Sequence, residues 1–184
     1  DVYKRQVPAQ NVTRELEKGT IVAGHIYQPY TTEALKKGYK ILFAAGTIPG
    51  VITDVLAFRS DIVEQRPQEI QGIIKSIIEA QTYYKNNKEE SLNIMANRSG
   101  IGVQEIKNGL ESVTLPSLKE NVFDLMDSKS NKPTSLYTSG KYISEFFLNR
   151  GQMDGYPDIC HIVDSECVYA VWQGEIYECL LVAS

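Results

Sequence analysis

Residues 20–59, TIVAGHIYQPYTTEALKKGYKILFAAGTIPGVITDVLAFR, are the stretch from which the fold class is predicted. Gly38 closes a short helical pattern over residues 31–37, and Gly19 closes an earlier one, because glycine is favoured just after a helix end. Three short apolar runs alternate with these helices and have the composition of buried β-strands: residues 20–24, 40–45 and 51–59. The order α-β-α-β-β predicts an α/β protein.

Beyond Arg59 the pattern is helical. Pro67 opens a long helix with the strongest periodic signal in the chain, in which apolar residues recur at i, i+3, i+4 and i+7. Its members are Ile70, Ile73, Ile74, Ile77 and Ile78, followed by Gln81 and Tyr84. We expect this stripe to pack in the core. Later helices are marked by a Ser117–Glu120 capping box and by a closing glycine at Gly151.

Composition and charge exclude several classes of protein. The 184 residues are 42% apolar and 23% charged, with a formal net charge of −4, as in ordinary globular proteins. No apolar run approaches the length that a membrane span requires. No stretch is rich in Lys or Arg, so nucleic acid is not predicted as a partner.

The tail differs from the body of the chain. Residues 151–184 hold six acidic side chains, no Lys or Arg, and all three cysteines: Cys160, Cys167 and Cys179. The body, residues 1–150, keeps 19 basic and 17 acidic side chains, a net charge of +2. Cysteine and histidine ligands of zinc usually come in close pairs, and neither these cysteines nor the neighbouring His161 form one. No metal site is therefore predicted.

No catalytic motif appears in the chain. It lacks the G-x-S-x-G of hydrolases, the phosphate loop of nucleotide-binding enzymes and the histidine pair of metalloproteases. Gly100-Ile101-Gly102 lies between predicted helices and does not follow a strand, so it does not predict a dinucleotide site. We predict no catalytic residue and no cofactor.

The segment His25–Glu33 carries the best candidates for binding. It follows a predicted strand and begins a predicted helix, which is where open α/β sheets bind ligands. Tyr27 and Tyr30 offer flat faces, His25 and Gln28 offer hydrogen bonds, and the helix start offers N–H groups. The alternative, that these side chains only close the rim of the core, stays open.

Asp54 is a further candidate, because it interrupts the apolar run 51–59. On a strand that borders a cleft it would accept a hydrogen bond from a ligand. On an ordinary sheet edge it would be a solvated charge.

In order and spacing, these segments resemble the C-terminal half of a type II periplasmic binding protein. The similarity is to the solute-binding components of nitrate/sulfonate/taurine-type ABC importers and to the related group for thiamine-pyrimidine precursors. It covers about residues 7–168 and rests on Leu16-x-x-Gly19, Tyr27-Gln28-Pro29-Tyr30, Ala34-x-x-x-Gly38, Gly46-x-x-Pro49-Gly50, Thr53-Asp54-Val55-Leu56, Arg59, Pro67, Phe146-Phe147-x-x-x-Gly151 and Pro157-Asp158-x-x-x-Ile162-Val163-Asp164.

The resemblance implies a two-lobed receptor, of which this chain is expected to be an incomplete part. Residues 7–50 would end the second lobe, and residues 51–168 would form the return strand and C-terminal helices of the first lobe. The ends, residues 1–6 and 169–184, stay unassigned. The implied protein is a bacterial, monomeric, non-enzymatic solute-binding component with an ABC permease as its partner. It would be periplasmic or an extracytoplasmic lipoprotein.

The resemblance also narrows the ligand. His25, Tyr27, Gln28, Tyr30 and Asp54 would line the cleft, and a flat ring such as a pyrimidine suits the tyrosines better than a sulfonate or nitrate, because no Arg stands in the segment. Family members often carry an acid where Gln28 stands. The alternative is a pyrimidine-precursor biosynthetic enzyme of the same fold, which uses a cysteine-rich motif that this chain lacks.

Overall fold

The computed structural model describes residues 4–48, 50 and 52–182, with side chains described up to residue 174. The chain divides into two compact units. The first, residues 1–44 and 89–114, contains α1 (Ala9–Glu17), α2 (Tyr30–Lys36), α5 (Lys88–Ser99) and α6 (Val103–Glu111). The second, residues 45–88 and 115–184, contains α3 (Ser60–Gln65), α4 (Pro67–Asn86), α7 (Leu118–Glu120), a π-helical turn (Asn121–Leu125), α8 (Leu136–Asn149), α9 (Ile159–Ile162) and α10 (Glu166–Val182).

The predicted strands differ from the structure, which has no β-strand among its described residues. Residues 21–27 and 52–59 are non-helical and unpaired, and Ala45 begins a single 3₁₀ turn (Ala45–Thr47). Val22, predicted to be buried, is 99% exposed. A strand exists only where a neighbouring strand accepts its backbone hydrogen bonds, and none does so here. The described residues thus do not show the predicted α/β character; Pro49 and Val51 lie outside them.

The predicted helix ends at glycines are confirmed. Gly19 and Gly38 have φ values of 68° and 87°, which a residue with a side chain rarely adopts. After Gly19, the Thr20 N–H donates to the Glu15 carbonyl at 3.1 Å, and the Gly19 N–H donates to the Leu16 carbonyl at 3.0 Å. This pair of bonds is the Schellman motif, and α2 ends in the same way. Gly151 closes α8, as expected.

The long helix predicted from Pro67 is confirmed as α4, and it forms one side of the core of the second unit. Ile70 and Ile74 are buried against Leu118 and Val122, and Ile78 packs beside them. The predicted stripe is split, however, because Ile73 and Ile77 remain exposed. The capping box at Ser117 is also confirmed: the Glu120 N–H donates to the Ser117 hydroxyl at 3.3 Å, and the Ser117 N–H donates to the Glu120 carboxylate at 2.7 Å.

The other side of this core comes from the tail. Residues beyond Val168 match no sequence pattern, yet α10 packs along α4 and buries Cys167, Val168 and Val171 against its isoleucines. The Trp172 ring meets the Phe123 ring edge to face, with centroids 5.5 Å apart. We conclude that the unassigned C-terminal segment is part of the folded second unit at least as far as Trp172.

Two cysteines of the tail should differ sharply in reactivity. Cys160 is exposed and Cys167 is buried, and burial raises the pKa of the Cys167 thiol. Because the thiolate is the reactive form, we expect alkylation of the native protein to modify Cys160 first and to leave Cys167 protected until unfolding. Peptide mass mapping over time reads each site separately. Equal rates at the two sites would contradict the packing of α10 on α4.

Candidate functional site

The candidate segment lies in the first unit, at the turn that leads into α2. The rings of Tyr27 and Tyr30 meet edge to face, with centroids 5.9 Å apart and an interplanar angle of 67°. Tyr27 is 62% exposed and Tyr30 is half-buried, so the pair presents aromatic surface to solvent. Aromatic pairs of this geometry are held by the attraction between ring edge and ring face, so the two tyrosines orient each other.

Gln28 lies between the two tyrosines in sequence, and its side chain is fixed from α2. The Thr32 hydroxyl donates to Gln28 Oε1 at 2.8 Å. Gln28 and Thr32 are both half-buried. The Gln28–Pro29 peptide bond is cis. Tyr27, Gln28 and Tyr30 thus lie on one turn, and their role in binding stays a prediction.

The predicted free N–H groups at the helix start are partly used up. The Thr31 N–H donates to the Tyr27 carbonyl at 3.1 Å. The Glu33 N–H makes the first ordinary i→i−4 bond of α2, to the Pro29 carbonyl at 3.3 Å. A bonded N–H group is not available to a ligand anion. One N–H group at the start of α2 is therefore unavailable to a nitrate or sulfonate.

The other two candidates are less constrained. His25 is exposed and lies in the unpaired stretch before the turn. Asp54 is exposed as well and lies in the second unit, within the non-helical residues 52–59. Among the described residues, neither the His25 imidazole nor the Asp54 carboxylate has a hydrogen-bond partner that fixes it. Both stay predictions from sequence.

Residues 20–24, which lead to this site, are held by contacts with α1. The Thr20 hydroxyl donates to the Glu15 carboxylate at 2.8 Å, and Lys18 Nζ donates to the same carboxylate at 3.2 Å. These donors hold the pKa of the largely buried Glu15 carboxyl below its usual value. Lys37, at the end of α2, forms two ion pairs: its Nζ lies 2.9 Å from Glu17 Oε1 and 3.1 Å from Glu33 Oε1. The pair with Glu17 joins α2 to α1.

Gly24 brings the stretch close to α1. A Cβ atom placed on Gly24 would lie 2.3 Å from Cγ1 of Val12, which is buried. Valine is stiff at χ1, so it cannot turn away without cost. Gly24 is thus a residue on which the position of the site depends, and its packing role was not apparent from sequence.

We expect Gly24→Ala to lower the free energy of unfolding by about 1–3 kcal/mol, the usual cost of overpacking. The matched control is Gly72→Ala within α4, where a Cβ would meet no atom within 4 Å. Alanine is the better helix former, so this control should be stabilised by roughly 0.5–1 kcal/mol. Urea denaturation of both variants measures the contrast. If Gly24→Ala leaves the free energy of unfolding unchanged, the residues around Gly24 do not pack against Val12.

Thr32 is the other residue of the site that sequence reasoning missed. The sequence carried no signal for its contact with Gln28, because Gln28 precedes α2 and the i, i+4 rule holds only between residues of one helix.

The described residues form no group of three or more His, Cys, Asp or Glu side chains that could hold a metal ion. Of the tail residues considered as ligands, Cys160 and His161 lie on the short α9, and Cys167 lies in the core. The side chain of Cys179 is outside the described residues. The His161 N–H donates to Asp158, which caps α9.

Comparisons with known proteins locate the family in the N-terminal part of the chain. A family model described as the NMT1-like family matches residues 1–98, more than half of the 184 residues. No curated protein and no solved structure matches the chain. In the part of the chain that the structure describes, every helix is too short or too polar to cross a membrane. The matched region contains all five candidate binding residues.

Proposed function

Because the chain belongs to the NMT1-like family, we propose that it is a solute-binding protein of an ABC importer, which captures a small organic solute and delivers it to the permease. A solute-binding role without catalysis is consistent with this family. We propose that the protein is bacterial and acts outside the cytoplasm, either free in the periplasm or as an extracytoplasmic lipoprotein. The proposed fold is a partial periplasmic-binding-protein fold of type II, with the lobes divided at residues 50 and 51.

The solute that we propose is a flat heteroaromatic ring, in the class of pyrimidine precursors of thiamine. The observation that carries this choice is the mutually oriented, solvent-facing pair Tyr27 and Tyr30 with the amide of Gln28 beside it. Ring faces and a few placed hydrogen-bonding groups are the usual lining of a small-molecule site. His25 is proposed as a further polar contact, and Asp54 stays a prediction from sequence.

Oxyanion solutes of the taurine and nitrate type fit these residues less well. Such anions are bound by Arg side chains or by free backbone N–H groups. The segment from His25 to Glu33 contains no Arg, and the Thr31 N–H at the start of α2 is already bonded to the Tyr27 carbonyl.

Removing either tyrosine ring should weaken ring binding. We expect Tyr27→Ala and Tyr30→Ala each to raise the Kd for 4-amino-5-hydroxymethyl-2-methylpyrimidine about tenfold, since an aromatic pair contributes about 0.5–1.5 kcal/mol beyond its buried area. Titration calorimetry measures the effect. Tyr142→Ala is the matched control, because Tyr142 is an exposed tyrosine of the second unit. If the control weakens binding as much as the two site variants, the proposed site is wrong.

A further inference from the structure

The loop between α8 and α9 carries the one Asp–Gly pair of the sequence, Asp154-Gly155. Both residues are exposed and lie outside the helices. Among the described residues, neither Asp154 nor Gly155 donates or accepts a hydrogen bond. A Cβ atom placed on Gly155 would meet no atom within 4 Å, so the space around this backbone is open. The Asp154 carboxyl group and the backbone nitrogen that follows it are therefore free to approach each other.

An aspartate in this setting can move the main chain onto its own side chain. The Gly155 nitrogen attacks Cγ of Asp154, a C–N bond forms, and the N–H proton leaves with the carboxyl hydroxyl as water, which closes a cyclic imide. A water molecule then opens the imide by breaking the bond between the Asp154 carbonyl carbon and the same nitrogen. The main chain now runs through Cγ, as an isoaspartyl residue, and the mass is unchanged because one water leaves and one returns.

The attack requires backbone freedom that hydrogen-bonded structure withholds. The chain after the aspartate has to turn until the next nitrogen faces Cγ, and glycine permits this turn most readily because it has no Cβ. A hydrogen bond to the carboxylate or to the adjoining backbone has to open before the turn can occur. At Asp154 no such bond has to open among the described residues.

Two other aspartates precede a small residue, serine in both cases, and the fold holds each of them. The Asp127 carboxylate accepts from the Lys129 N–H at 2.9 Å, and the Asp127 carbonyl accepts from the Ser135 hydroxyl at 3.0 Å. The Asp164 carboxylate accepts from the Glu166 N–H at 2.8 Å. These two aspartates are thus internal references with the same chemistry and less freedom.

The chain's Asn–Gly pair, Asn108-Gly109, is held as well. Asparagine forms the same imide with loss of ammonia, but this pair lies inside α6, where the backbone N–H groups belong to the helical hydrogen bonds. The Gln104 side chain also donates from Nε2 to Asn108 Oδ1 at 2.9 Å. The helix therefore opposes the turn that the open loop at Asp154 allows.

We propose that Asp154 is a modification site, at which the native protein converts aspartate to isoaspartate faster than at any other aspartate that precedes a small residue. The fold contributes to this choice as well as the Asp–Gly sequence, because it restrains Asp127 and Asp164 and leaves Asp154 unbonded. The reaction needs only water, and the inference does not depend on the proposed solute.

The test follows isoaspartate in the purified protein during storage at neutral pH and physiological temperature. Peptides that contain isoaspartate separate by chromatography from aspartyl peptides of equal mass, and mass spectrometry assigns each one. We expect conversion at Asp154 to be at least about tenfold faster than at Asp127 or Asp164, since a hydrogen bond to a charged group has to open at those two. Gly155→Ala should slow Asp154 several-fold, and its Cβ meets no atom that would disturb the fold.

The same measurement in guanidinium separates the fold from the sequence. Unfolding removes the bonds at Asp127 and Asp164, so the advantage of Asp154 should shrink to the part that glycine alone confers. An equal advantage in the native and the unfolded protein would overturn the role of the fold. Conversion in the native protein that is faster at Asp127 or Asp164, or absent at Asp154, would overturn the site itself.

Discussion

Val171→Asp is expected to unfold the second unit, with a loss of more than about 3 kcal/mol in the free energy of unfolding. Val171 is 8% exposed and lies on α10, among the isoleucines of α4 and the residues of the π-helical turn. The described residues of this core cluster are all uncharged, so the new carboxylate would be buried without a partner. Guanidinium denaturation followed by circular dichroism measures the loss.

Gln173→Asp provides the control for this large effect. Gln173 lies two residues further along the same helix and is exposed, so the same substitution should change stability by no more than about 0.5 kcal/mol. A Val171→Asp variant as stable as Gln173→Asp would mean that α10 does not form part of the core.

Ile70→Ala is expected to lower the free energy of unfolding by about 2–5 kcal/mol, the range for truncating a buried isoleucine. Ile70 is 4% exposed and contacts the cluster that joins α4 to α7 and α10. The loss combines the transfer free energy of the removed methyl and methylene groups with the cost of the cavity they leave.

Ile73→Ala is the matched comparison, since it makes the same change on the same helix at a residue that is 43% exposed. It should cost less than about 1 kcal/mol, because much of its side chain already contacts water. Denaturation curves of the two variants therefore test the split of the isoleucine stripe. Similar losses at both positions would place Ile73 in the core, as the sequence alone predicts.

That split shows where sequence periodicity stops being informative. The i, i+3, i+4 spacing correctly predicted α4 from Pro67 and the burial of Ile70 and Ile74. It could not tell how wide a strip of α4 would be covered, because this depends on α10, a distant part of the chain. Residues 166–174, ECVYAVWQG, have no clear apolar stripe of their own, so the tail gave no sign of packing there.

Local signals were the most reliable guide to the fold. The ends of α1 and α2 follow from glycines whose positive φ lets the backbone close the helix, and both the residue and its effect lie within one turn. The predicted strands depend instead on partners far along a chain. Residues 20–24 and 52–58 have strand-like composition, but they are unpaired in the described structure. Composition does not show whether a neighbouring strand is present to accept their backbone hydrogen bonds.

The candidate site falls between these two cases. The aromatic and polar character of Tyr27, Gln28 and Tyr30 was readable from sequence, and the structure places them on one turn. The hydrogen bond between the Thr32 hydroxyl and the Gln28 amide could not be predicted from the sequence. The close approach of Gly24 to Val12 could not be predicted either, since it depends on how the chain before α2 packs against α1.

Titration calorimetry of the purified protein against four solutes tests the central claim most directly: 4-amino-5-hydroxymethyl-2-methylpyrimidine, its 4-oxo counterpart, taurine and nitrate. The account predicts that the pyrimidines bind, that the heat of binding is lost when Tyr27 and Tyr30 are both changed to Ala, and that taurine and nitrate give no saturable heat. Saturable binding of taurine or nitrate in preference to both rings would contradict it.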